Sequence, residues 1–579
     1  MDKQDKVDLH RRRLINFGVA GAALAGTTGV SAAQAKPQSV RWDMQADIVC
    51  VGSGAAACSA AVTAADLGDK VILLEKAPVF GGTTRRSGGV AWIPNNFSLR
   101  AQGVEDTEAD CMRYMCRYGF PERYRAEGEN FGLEPFEFAR LQAFYRNAAP
   151  AVARFNEIGA SHFVRFELPG GVGPSPDYAA SLPENKVPKG RAVWPDPKVD
   201  GGRGSAIVDH MIAWLEKHGG TALTDHRVVR LIQKQGRVAG VEVEAGGKRL
   251  NVRAKKAVIF GSGGFAHNPQ IAQRHLDPIY GACASPGSTG DFIPMATAVG
   301  ARMDNMRSAW RTQVLLEEAL ENRVIGRALN IPPGDAMILV NKHGHRVVNE
   351  KRNYNDRTRV HFVWDPVRVD YPNQFLFMVF DQRAIDVYGG SYPFPKNARE
   401  SALLIQGGSF AELAQNVQAR LDKLAPRIGA VQLAPDFTRQ IEQSVQRFNG
   451  FARQGRDDDF KRGDAAEVDW LAYFSRPRAG QEDKLQGMAN PTMHPFADSG
   501  PYYALIVAPG ALDTNGGPQI DAEARVLDAE GRPIPGLYGA GNCIGSPTRS
   551  GYFGAGGTIG PALTFGYIAA QSAHRSGAA

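Results

Sequence analysis

A strand–turn–helix–strand pattern near the N-terminus constrains the fold of this chain most strongly. Residues 46–51 are apolar and β-branched, the pattern G-x-G-x-x-A follows at residues 52–57, and a second apolar strand is predicted at residues 70–74. In this context the glycines predict a tight turn at a helix N-terminus, whose free amides and dipole can hold a pyrophosphate. Glu75 lies 23 residues after the first glycine, where its carboxylate can accept hydrogen bonds from ribose hydroxyls. The unit therefore predicts a dinucleotide site.

Four later glycine-rich segments extend this pattern towards both ends of the chain. They are GGTTRRSGG at residues 81–89, GSGG at 261–264, GLYGAGN at 536–542 and GGTIGPA at 556–562. The last one opens a predicted helix, whose N-terminal amides can face a cofactor ring. Residues 301–495 carry more charge and more aromatic residues, and they contain no glycine fingerprint. The pattern predicts a cofactor domain built from both chain ends, with a second domain inserted in the middle.

Composition excludes several other classes of protein. Hydrophobic residues make up 43% and charged residues 22% of the 579 residues, as in ordinary globular proteins. The 67 basic and 60 acidic residues are interspersed, so the net charge of +7 does not form a nucleic-acid footprint. The six cysteines are too few and too scattered for a disulfide scaffold, and none has metal-ligand spacing. We therefore expect neither a nucleic-acid partner nor a metal.

The first 35 residues have the pattern of an export signal. Three arginines at residues 11–13 precede an uncharged stretch at residues 17–33, and AQA at residues 33–35 is a small-x-small cleavage site. This pattern resembles a bacterial twin-arginine signal peptide, so the mature protein is expected in the periplasm. An uncleaved anchor or a disordered tail is the alternative. No later segment offers an uninterrupted membrane span.

As an ordered set, the motifs resemble the flavoprotein family of fumarate reductases and 3-ketosteroid dehydrogenases. The resemblance rests on VGSG, LLEK, GGTTRRSGG, FGSGGF, VVNE, GLYGAGN and TIGPALTFGY, and it covers nearly the whole chain after the signal. It implies an α/β fold with a Rossmann-like FAD-binding domain at residues 46–302 and 496–579. An inserted α+β catalytic (capping) domain is expected at residues 303–495. No second dinucleotide fingerprint is present, so the electron acceptor is expected to be external, with a quinone as one candidate.

FAD is the cofactor that the resemblance implies, with its adenine end near Val228. The implied FAD-binding residues are Gly52, Ser53, Gly54, Ala55, Ala56, Glu75, Lys76, Gly82, Thr83, Thr84, Ser87, Gly88, Gly89, Val228, Gly263, Gly541, Asn542, Gly557, Thr558 and Ile559. The motifs supply phosphate, ribose and ring contacts but no obvious histidine for covalent attachment. We therefore expect the FAD to be bound non-covalently.

The substrate positions depart from the fumarate-reducing branch. That branch binds a dicarboxylate, so it needs a histidine and several arginines, one of which donates a proton. Here Tyr354 holds the donor position after the Asn-Glu pair at residues 349–350. The stretch at residues 512–517 has no histidine, and residues 552–559 have no arginine, although Arg549 lies just before them. Most of the groups needed to bind a dicarboxylate are missing.

The same positions resemble the 3-ketosteroid Δ1-dehydrogenases. The resemblance implies that Tyr354 is the general base and that Tyr552 and the backbone amide of Gly556 polarise the 3-keto oxygen. Tyr178, in a Pro-Asp-Tyr stretch, is implied to support the base, although the surrounding loop departs in length. In such a reaction the base removes the proton α to the carbonyl and flavin N5 accepts a hydride from the β carbon. The expected substrate is a 3-oxosteroid or a related polycyclic ketone, oxidised at either the 1,2 or the 4,5 bond.

Two rival functions stay open. A fumarate-reductase-like ene reductase acting on a small unsaturated acid would need cations at the substrate face, and the sequence supplies few. A flavin-carrying electron-transfer or binding protein without catalysis would not need Tyr354 together with Tyr552 and Gly556.

Several other residues have two interpretations each. Trp92, Phe97 and Trp310 could line a substrate pocket, although core packing is the expectation for each. Asp513 could reach the flavin or a substrate, but a turn-forming role before Thr-Asn-Gly-Gly is expected. The arginine pair at residues 85–86 could contact the pyrophosphate or point to solvent.

Overall fold

The computed structural model describes residues 40–577, so the predicted signal at residues 1–35 lies outside the described part. The strands are β1 (Met44–Val51), β2 (Val71–Leu74), β3 (Ala91–Trp92), β4 (Phe163–Arg165), β5 (Glu167–Leu168), β6 (Gly173–Pro174), β7 (Ala192–Pro195), β8 (Thr221–Leu223), β9 (Arg227–Lys234), β10 (Arg237–Ala245), β11 (Lys248–Phe260), β12 (Met303–Asp304), β13 (Ala309–Leu315), β14 (Met337–Val340), β15 (Leu376–Asp381), β16 (Ile405–Gly407), β17 (Tyr502–Thr514), β18 (Gly517–Pro518), β19 (Arg525–Leu527) and β20 (Pro533–Gly539). The α-helices are α1 (Ala55–Asp66), α2 (Gly82–Arg86), α3 (Phe97–Ala101), α4 (Glu108–Gly119), α5 (Pro135–Glu157), α6 (Pro197–Asp200), α7 (Gly204–Lys217), α8 (Pro269–His275), α9 (Phe292–Ala298), α10 (Leu316–Glu321), α11 (Tyr354–Thr358), α12 (Gln382–Tyr388), α13 (Phe410–Ile428), α14 (Phe437–Gln454), α15 (Ala465–Phe474) and α16 (Ile559–Arg575).

The larger sheet contains the predicted strand–turn–helix–strand unit. Its strand order is β19-β20-β11-β1-β2-β8, and the β9–β10 hairpin is attached to β11. Four strand pairs are parallel: β1 with β2, β1 with β11, β2 with β8, and β11 with β20. Helix α1 packs against α7 and against the C-terminal helix α16. Because β20 and α16 come from the C-terminal part of the chain, the predicted α/β fold assembled from both chain ends is confirmed.

The smaller major sheet is antiparallel and belongs to the middle of the chain. Its order is β13-β17-β15-β14, and β16 also pairs with β17. Helix α13 packs against β16, β17 and α14. Strand β17 follows the predicted boundary at residue 495, yet it pairs with β13 and β15 in this sheet. The C-terminal end of β17 therefore carries residues 512–514 from the inserted sheet towards the glycine-rich segments.

The burial pattern follows from the sequence of the parallel strands. All four residues of β2 are buried, as is usual for a parallel strand covered on both faces. The alanine-rich helix α1 is buried along most of its length. Cys50 in β1 and Cys58 in α1 are both buried in this core. Among residues 40–577, no helix combines the length and apolar character that a membrane crossing requires.

Candidate active site

The glycine turn after β1 packs directly against the GSGG segment. Gly52 has φ of +98°, and a Cβ atom there would lie 2.6 Å from the carbonyl oxygen of Gly261. Only glycine avoids this clash and adopts this backbone conformation without strain. Helix α1 follows with Gly54 as N-cap, so no side chain caps it from that position. Its first-turn amides can therefore bind an anionic group.

Glu75 is held in a fixed position at the carboxyl end of β2. One carboxylate oxygen accepts a hydrogen bond from the Ser53 hydroxyl at 2.5 Å, and the other accepts from the Ala77 amide at 2.8 Å. The next residue, Lys76, donates to Asp291 and Thr289, each at 2.8 Å. A carboxylate oxygen can accept more than one hydrogen bond, so Glu75 keeps acceptor capacity for a ligand.

The turn, the end of β2 and the start of α16 enclose a first cavity, which we call the turn cavity. It is lined by Gly52, Ser53, Gly54, Ala55, Ala56, Glu75, Lys76, Ala77, Gly82, Thr83, Thr84, Ser87, Gly261, Ser262, Gly263, Ser285, Gly287, Ser288, Asp513, Gly541, Asn542, Thr558, Ile559 and Ala562. Most of the predicted FAD-binding residues are among them. The structure thus brings together segments that are hundreds of residues apart in the chain.

Four predicted FAD-binding residues lie outside the turn cavity. Gly88 and Gly89 line the neighbouring larger cavity instead. Gly557 lines neither cavity. Val228 lines a separate surface depression that Asp291 also borders. The predicted roles of these four residues stay predictions.

A second cavity of about 810 Å³, which we call the tyrosine cavity, adjoins the first. The residues common to both linings are Thr83, Ser87, Asp513, Asn542, Thr558 and Ile559. Trp310 lines the tyrosine cavity, and its indole N–H donates to the Asn542 side-chain oxygen at 3.0 Å. Trp92 and Phe97 pack in the core of the larger sheet, as expected, and are not among the lining residues.

Three tyrosines from distant parts of the chain meet in the tyrosine cavity. Tyr178, Tyr354 and Tyr552 are all buried, and the centroids of their rings are 5.3 to 5.7 Å apart. The Tyr178 hydroxyl donates to the Tyr354 hydroxyl at 3.2 Å. Each of the three positions was assigned to the substrate site from sequence. The structure therefore brings all three predicted tyrosines together.

Tyr354 is the first residue of α11, and a buried ionic network fixes the loop before it. Asn353 caps the helix by accepting from the Asp356 amide. Glu350 bonds Arg346 at 2.8 Å and Arg462 at 3.1 Å, and all three side chains are buried. Burial acts to raise the pKa of Glu350, but these two guanidinium groups lower it to about 2. Glu350 thus anchors the loop that carries Tyr354.

Tyr178 is tied by its backbone to the segment that carries Tyr552. Its amide donates to the carbonyl oxygen of Phe553 at 3.0 Å. The preceding Asp177 bonds the buried Arg191 at 2.5 Å and accepts from the Trp92 indole at 2.7 Å. These contacts fix Tyr178 beside Tyr552 although 374 residues separate them in sequence (552 minus 178).

Gly556 lies where two backbone segments approach closely. Its φ is +85°, and a Cβ atom would lie 2.3 Å from the carbonyl oxygen of Val90. Its own carbonyl accepts from the Trp92 amide at 3.0 Å. The amide N–H of Gly556 donates to no acceptor among residues 40–577. Gly556 lines the tyrosine cavity with Tyr552, so its N–H is available to a ligand oxygen there.

Comparison with known proteins identifies the family. Residues 47–559 match the FAD binding domain family. The chain belongs to this family. A 4-oxocyclohexanecarboxylate 2-dehydrogenase of Sinomonas cyclohexanicum is 32% identical to this flavoprotein over 560 residues, covering 87% of this chain and 89% of the relative. A 3-oxosteroid 1-dehydrogenase of Mycolicibacterium smegmatis is 30% identical over 575 residues, covering 86% and 92%.

A solved structure agrees with the sequence relatives. The 3-ketosteroid Δ1-dehydrogenase from Sterolibacterium denitrificans, in complex with 1,4-androstadiene-3,17-dione, matches with a TM-score of 0.74 at 25% identity. The match covers 92% of this chain and 100% of that one. The predicted family and the fold with a capping domain are confirmed. This flavoprotein is an FAD-dependent oxidoreductase that acts on CH–CH groups.

The turn cavity fits the cofactor of this family. The N-terminus of α1 suits the pyrophosphate, because only its Ala55 amide donates to a side chain among the described residues, that of Thr84 at 2.9 Å. Glu75 at the end of β2 suits the ribose. The residues that line both cavities lie where the flavin ring of a bound FAD would meet the substrate. The arginine pair does not reach this cavity, because Arg85 bonds Asp209 and Arg86 lines the tyrosine cavity.

Asp513 lies at the site, the less favoured of the two positions that its sequence suggests. It lies in β17 and not in a turn, and its buried carboxylate borders both cavities. It accepts hydrogen bonds from Ser288 and Asn542 at 3.2 Å and from Thr83 at 3.3 Å. Burial raises its pKa, and hydrogen bonds from the Thr514 amide, Asn542 and Ser288 oppose the shift only in part. A single acidic residue at the end of the apolar run 502–512 was the signal that could have marked it.

Electrostatics in the tyrosine cavity favours neutral hydroxyls. Burial is the largest cause that raises the pKa of each of the three tyrosines. For Tyr354, the neighbouring Tyr178 and Tyr552 raise the pKa further. A neutral Tyr552 suits hydrogen-bond donation to a ketone oxygen. A phenolate at Tyr354 would be a strong base, and the high pKa means that forming it would cost free energy.

Proposed function

We propose that this flavoprotein dehydrogenates a 3-oxosteroid or a related polycyclic ketone next to its carbonyl group. The observation that carries the proposal is the grouping of Tyr354, Tyr552 and the Gly556 amide in one cavity. An apolar cluster containing Trp310, Ile331 and Trp470 surrounds the tyrosines. A cavity of about 810 Å³ is large enough for a polycyclic molecule.

The chemistry divides between the ketone oxygen and the α carbon. The Tyr552 hydroxyl and the Gly556 amide would both donate to the ketone oxygen and stabilise the negative charge that develops there. Tyr354 would act as a phenolate, which the hydrogen bond from Tyr178 would stabilise, and it would become a neutral phenol as it takes the α proton. FAD supplies, when bound, the acceptor for the two electrons released from the substrate. An external acceptor, for which a quinone is a candidate, would then reoxidise the flavin.

The names of the relatives support a cyclic ketone. One relative is named for 4-oxocyclohexanecarboxylate and the other for 3-oxosteroids, so both substrates are ring ketones. The volume of the tyrosine cavity favours the larger of these two classes. A small unsaturated acid would need cations beside Tyr552 and Gly556. The apolar cluster around the tyrosines provides none among the described residues.

We further propose that the FAD is non-covalent and that the protein acts in the periplasm. The described lining of the turn cavity contains no histidine or cysteine that could attach the flavin. Acid precipitation tests the first proposal: the flavin should stay in the supernatant, and flavin retained in the pellet would contradict it. The periplasmic proposal depends on the signal pattern, and substitution of Arg11 and Arg12 by Lys should retain the protein in the cytoplasm.

Anaerobic mixing with candidate substrates tests the proposed function. A neutral 3-oxosteroid should bleach the flavin absorbance, whereas succinate should not. Bleaching by succinate alone would favour the ene-reductase class. Absence of bleaching by every ring ketone in a panel of steroid and monocyclic ketones would contradict the proposal.

A further inference from the structure

The tyrosine cavity contains two cations that the proposed reaction does not use. Arg86 and Arg327 line it, and Asp513 is the acidic residue among its described lining residues. Asp513 already accepts hydrogen bonds from Ser288 and Asn542. No ion pair joins Arg86 or Arg327 to a residue in the described part of the chain. The lining therefore carries positive charge that the protein itself does not neutralise.

Arg86 is fixed in place without being neutralised. Its Nε donates to the carbonyl oxygen of Cys283 at 3.1 Å, and its Nη2 donates to that of Ile325 at 3.1 Å. Both partners are uncharged carbonyl groups, so they orient the guanidinium group without neutralising its positive charge. Nη1 has no acceptor among residues 40–577, so the guanidinium can still donate to a ligand.

Arg327 follows two residues after Ile325 and is exposed at the cavity wall. Tyr392 lines the same cavity. Burial and the nearby Glu318 raise the pKa of Tyr392, and the positive charge of Arg327 opposes that shift. The Tyr392 hydroxyl donates to Glu318 at 2.8 Å, and no ion pair joins this carboxylate to Arg327 in the described part of the chain. Arg327 can therefore take a ligand anion as its partner.

The chain segment 325–331 connects the arginines to the tyrosines along one wall. Its first residue, Ile325, holds Arg86 through its carbonyl. Its last residue, Ile331, packs in the apolar cluster that contains Tyr354 and Tyr552. All seven residues line the cavity. The segment spans at most about 20 Å from Ile325 to Ile331 when fully extended. Arg86 and Arg327 thus adjoin the first three residues of this wall, and the tyrosine cluster adjoins its last residue.

We propose that the substrate carries a carboxylate remote from its ketone, and that Arg86 and Arg327 bind it. This inference rests on the proposed function, because that function places the ketone oxygen at Tyr552 and Gly556. A polycyclic ketone bound there would extend along the wall towards the arginines. Guanidinium groups form charge-assisted hydrogen bonds with carboxylates, and these are stronger than bonds between neutral groups. The substrate class is thus a ring ketone with an acidic side chain.

A matched pair of substrates tests the inference directly. The pair is a 3-oxosteroid with a side-chain carboxylate and the carboxamide of the same molecule, which has the same shape but no charge. The ratio of kcat/KM for the acid to that for the amide should be about 10 or more in the parent enzyme. It should fall towards 1 in the Arg86→Ala/Arg327→Ala double variant and below 1 in Arg327→Glu. Arg453→Ala, at an exposed position on α14, is the control and should leave the ratio unchanged.

Two results separate this inference from the proposed function. If the acid and the amide reduce the flavin equally well in the parent enzyme, the carboxylate site is wrong while ring-ketone dehydrogenation stands. If neither compound nor any neutral ring ketone reduces the flavin, both the proposed function and this inference are wrong. A steroid acid without the 3-oxo group gives a readout without turnover. Its binding, followed by flavin absorbance, should weaken about tenfold in the double variant, and unchanged binding would overturn the arginine assignment.

Discussion

The Tyr178 hydroxyl donates a hydrogen bond to the Tyr354 hydroxyl at 3.2 Å, although the two residues come from different parts of the chain. Their rings meet edge to face with centroids 5.5 Å apart. A hydroxyl that donates to Tyr354 favours a phenolate there, although burial and the charges of the neighbouring tyrosines raise the pKa of Tyr354. In the proposed reaction, this contact is how Tyr178 would support the base.

The proposed base predicts an alkaline rise in rate. Burial and the two neighbouring tyrosines raise the pKa of Tyr354 above its ordinary value near 10, so the hydroxyl is neutral at pH 7. Below that pKa, the phenolate fraction grows about tenfold for each pH unit. The rate constant for flavin reduction by a ketosteroid should thus rise from pH 7 to pH 10 without a plateau, as measured by stopped-flow absorbance. A plateau between pH 7 and pH 8 would point to a different base.

Tyr552→Phe should weaken both ketone binding and turnover. The change removes one of two proposed donors to the ketone oxygen, and the loss of such a donor elsewhere costs about 10²–10³ in rate. Steady-state kinetics should show a higher KM together with a lower kcat. Tyr371→Phe, at an exposed position outside the cavity, serves as the control. Parental kinetics in the Tyr552 variant would remove this residue from the mechanism.

Glu75→Ala should weaken FAD binding. The substitution would leave ribose hydroxyls without an acceptor, at a cost of about 1–3 kcal/mol. It would also leave the buried Ser53 hydroxyl without its present partner. The Kd for FAD, measured by reconstituting the apoprotein, should rise, whereas Glu321→Ala at an exposed site should not change it. Equal retention of FAD through dilution would show that Glu75 does not hold the ribose.

Glu467 should make stability depend on pH near neutrality. It is buried beside Asn349, which donates to it at 2.8 Å, and burial together with Asp464 raises its pKa to about 7. The pKa of Glu467 in the folded state exceeds its value near 4.5 in the unfolded chain, so its contribution to the free energy of unfolding is fully present below pH 4.5. This contribution, about 3 kcal/mol, is lost as the pH rises to 7. Thermal unfolding from pH 5 to pH 8 should show a smaller decline in Tm for Glu467→Gln than for the parent. Identical declines would contradict this assignment.

The cofactor half of the site could be predicted because its determinants are local. The backbone conformation of Gly52 and its close approach to Gly261 admit only glycine. The glycine at this position therefore indicates the turn directly. Glu75 could be assigned because its distance from the turn follows from one helix and one strand. The substrate tyrosines required a family resemblance. Nothing in their local sequence indicates that Tyr178 and Tyr552 lie side by side.

The contacts that were missed depend on tertiary packing. Asp513 reaches both cavities because β17 pairs within the inserted sheet and ends beside Ser288. Local sequence suggested a turn, because Asp before Thr-Asn-Gly-Gly is typical of one. Arg327 lies in a segment without regular secondary structure, where periodicity carries no information. Only the three-dimensional arrangement places its charge in the cavity.

The central claim is that Tyr354 takes the α proton, and anaerobic stopped-flow reduction of the Tyr354→Phe flavin by a ketosteroid tests it most directly. Phenylalanine keeps the ring packed among Tyr178, Tyr552 and Trp470 but removes the hydroxyl. Flavin reduction should fall by about 10²–10⁴-fold, while FAD content and ketone binding stay close to parental values. Flavin reduction at a near-parental rate would contradict the account.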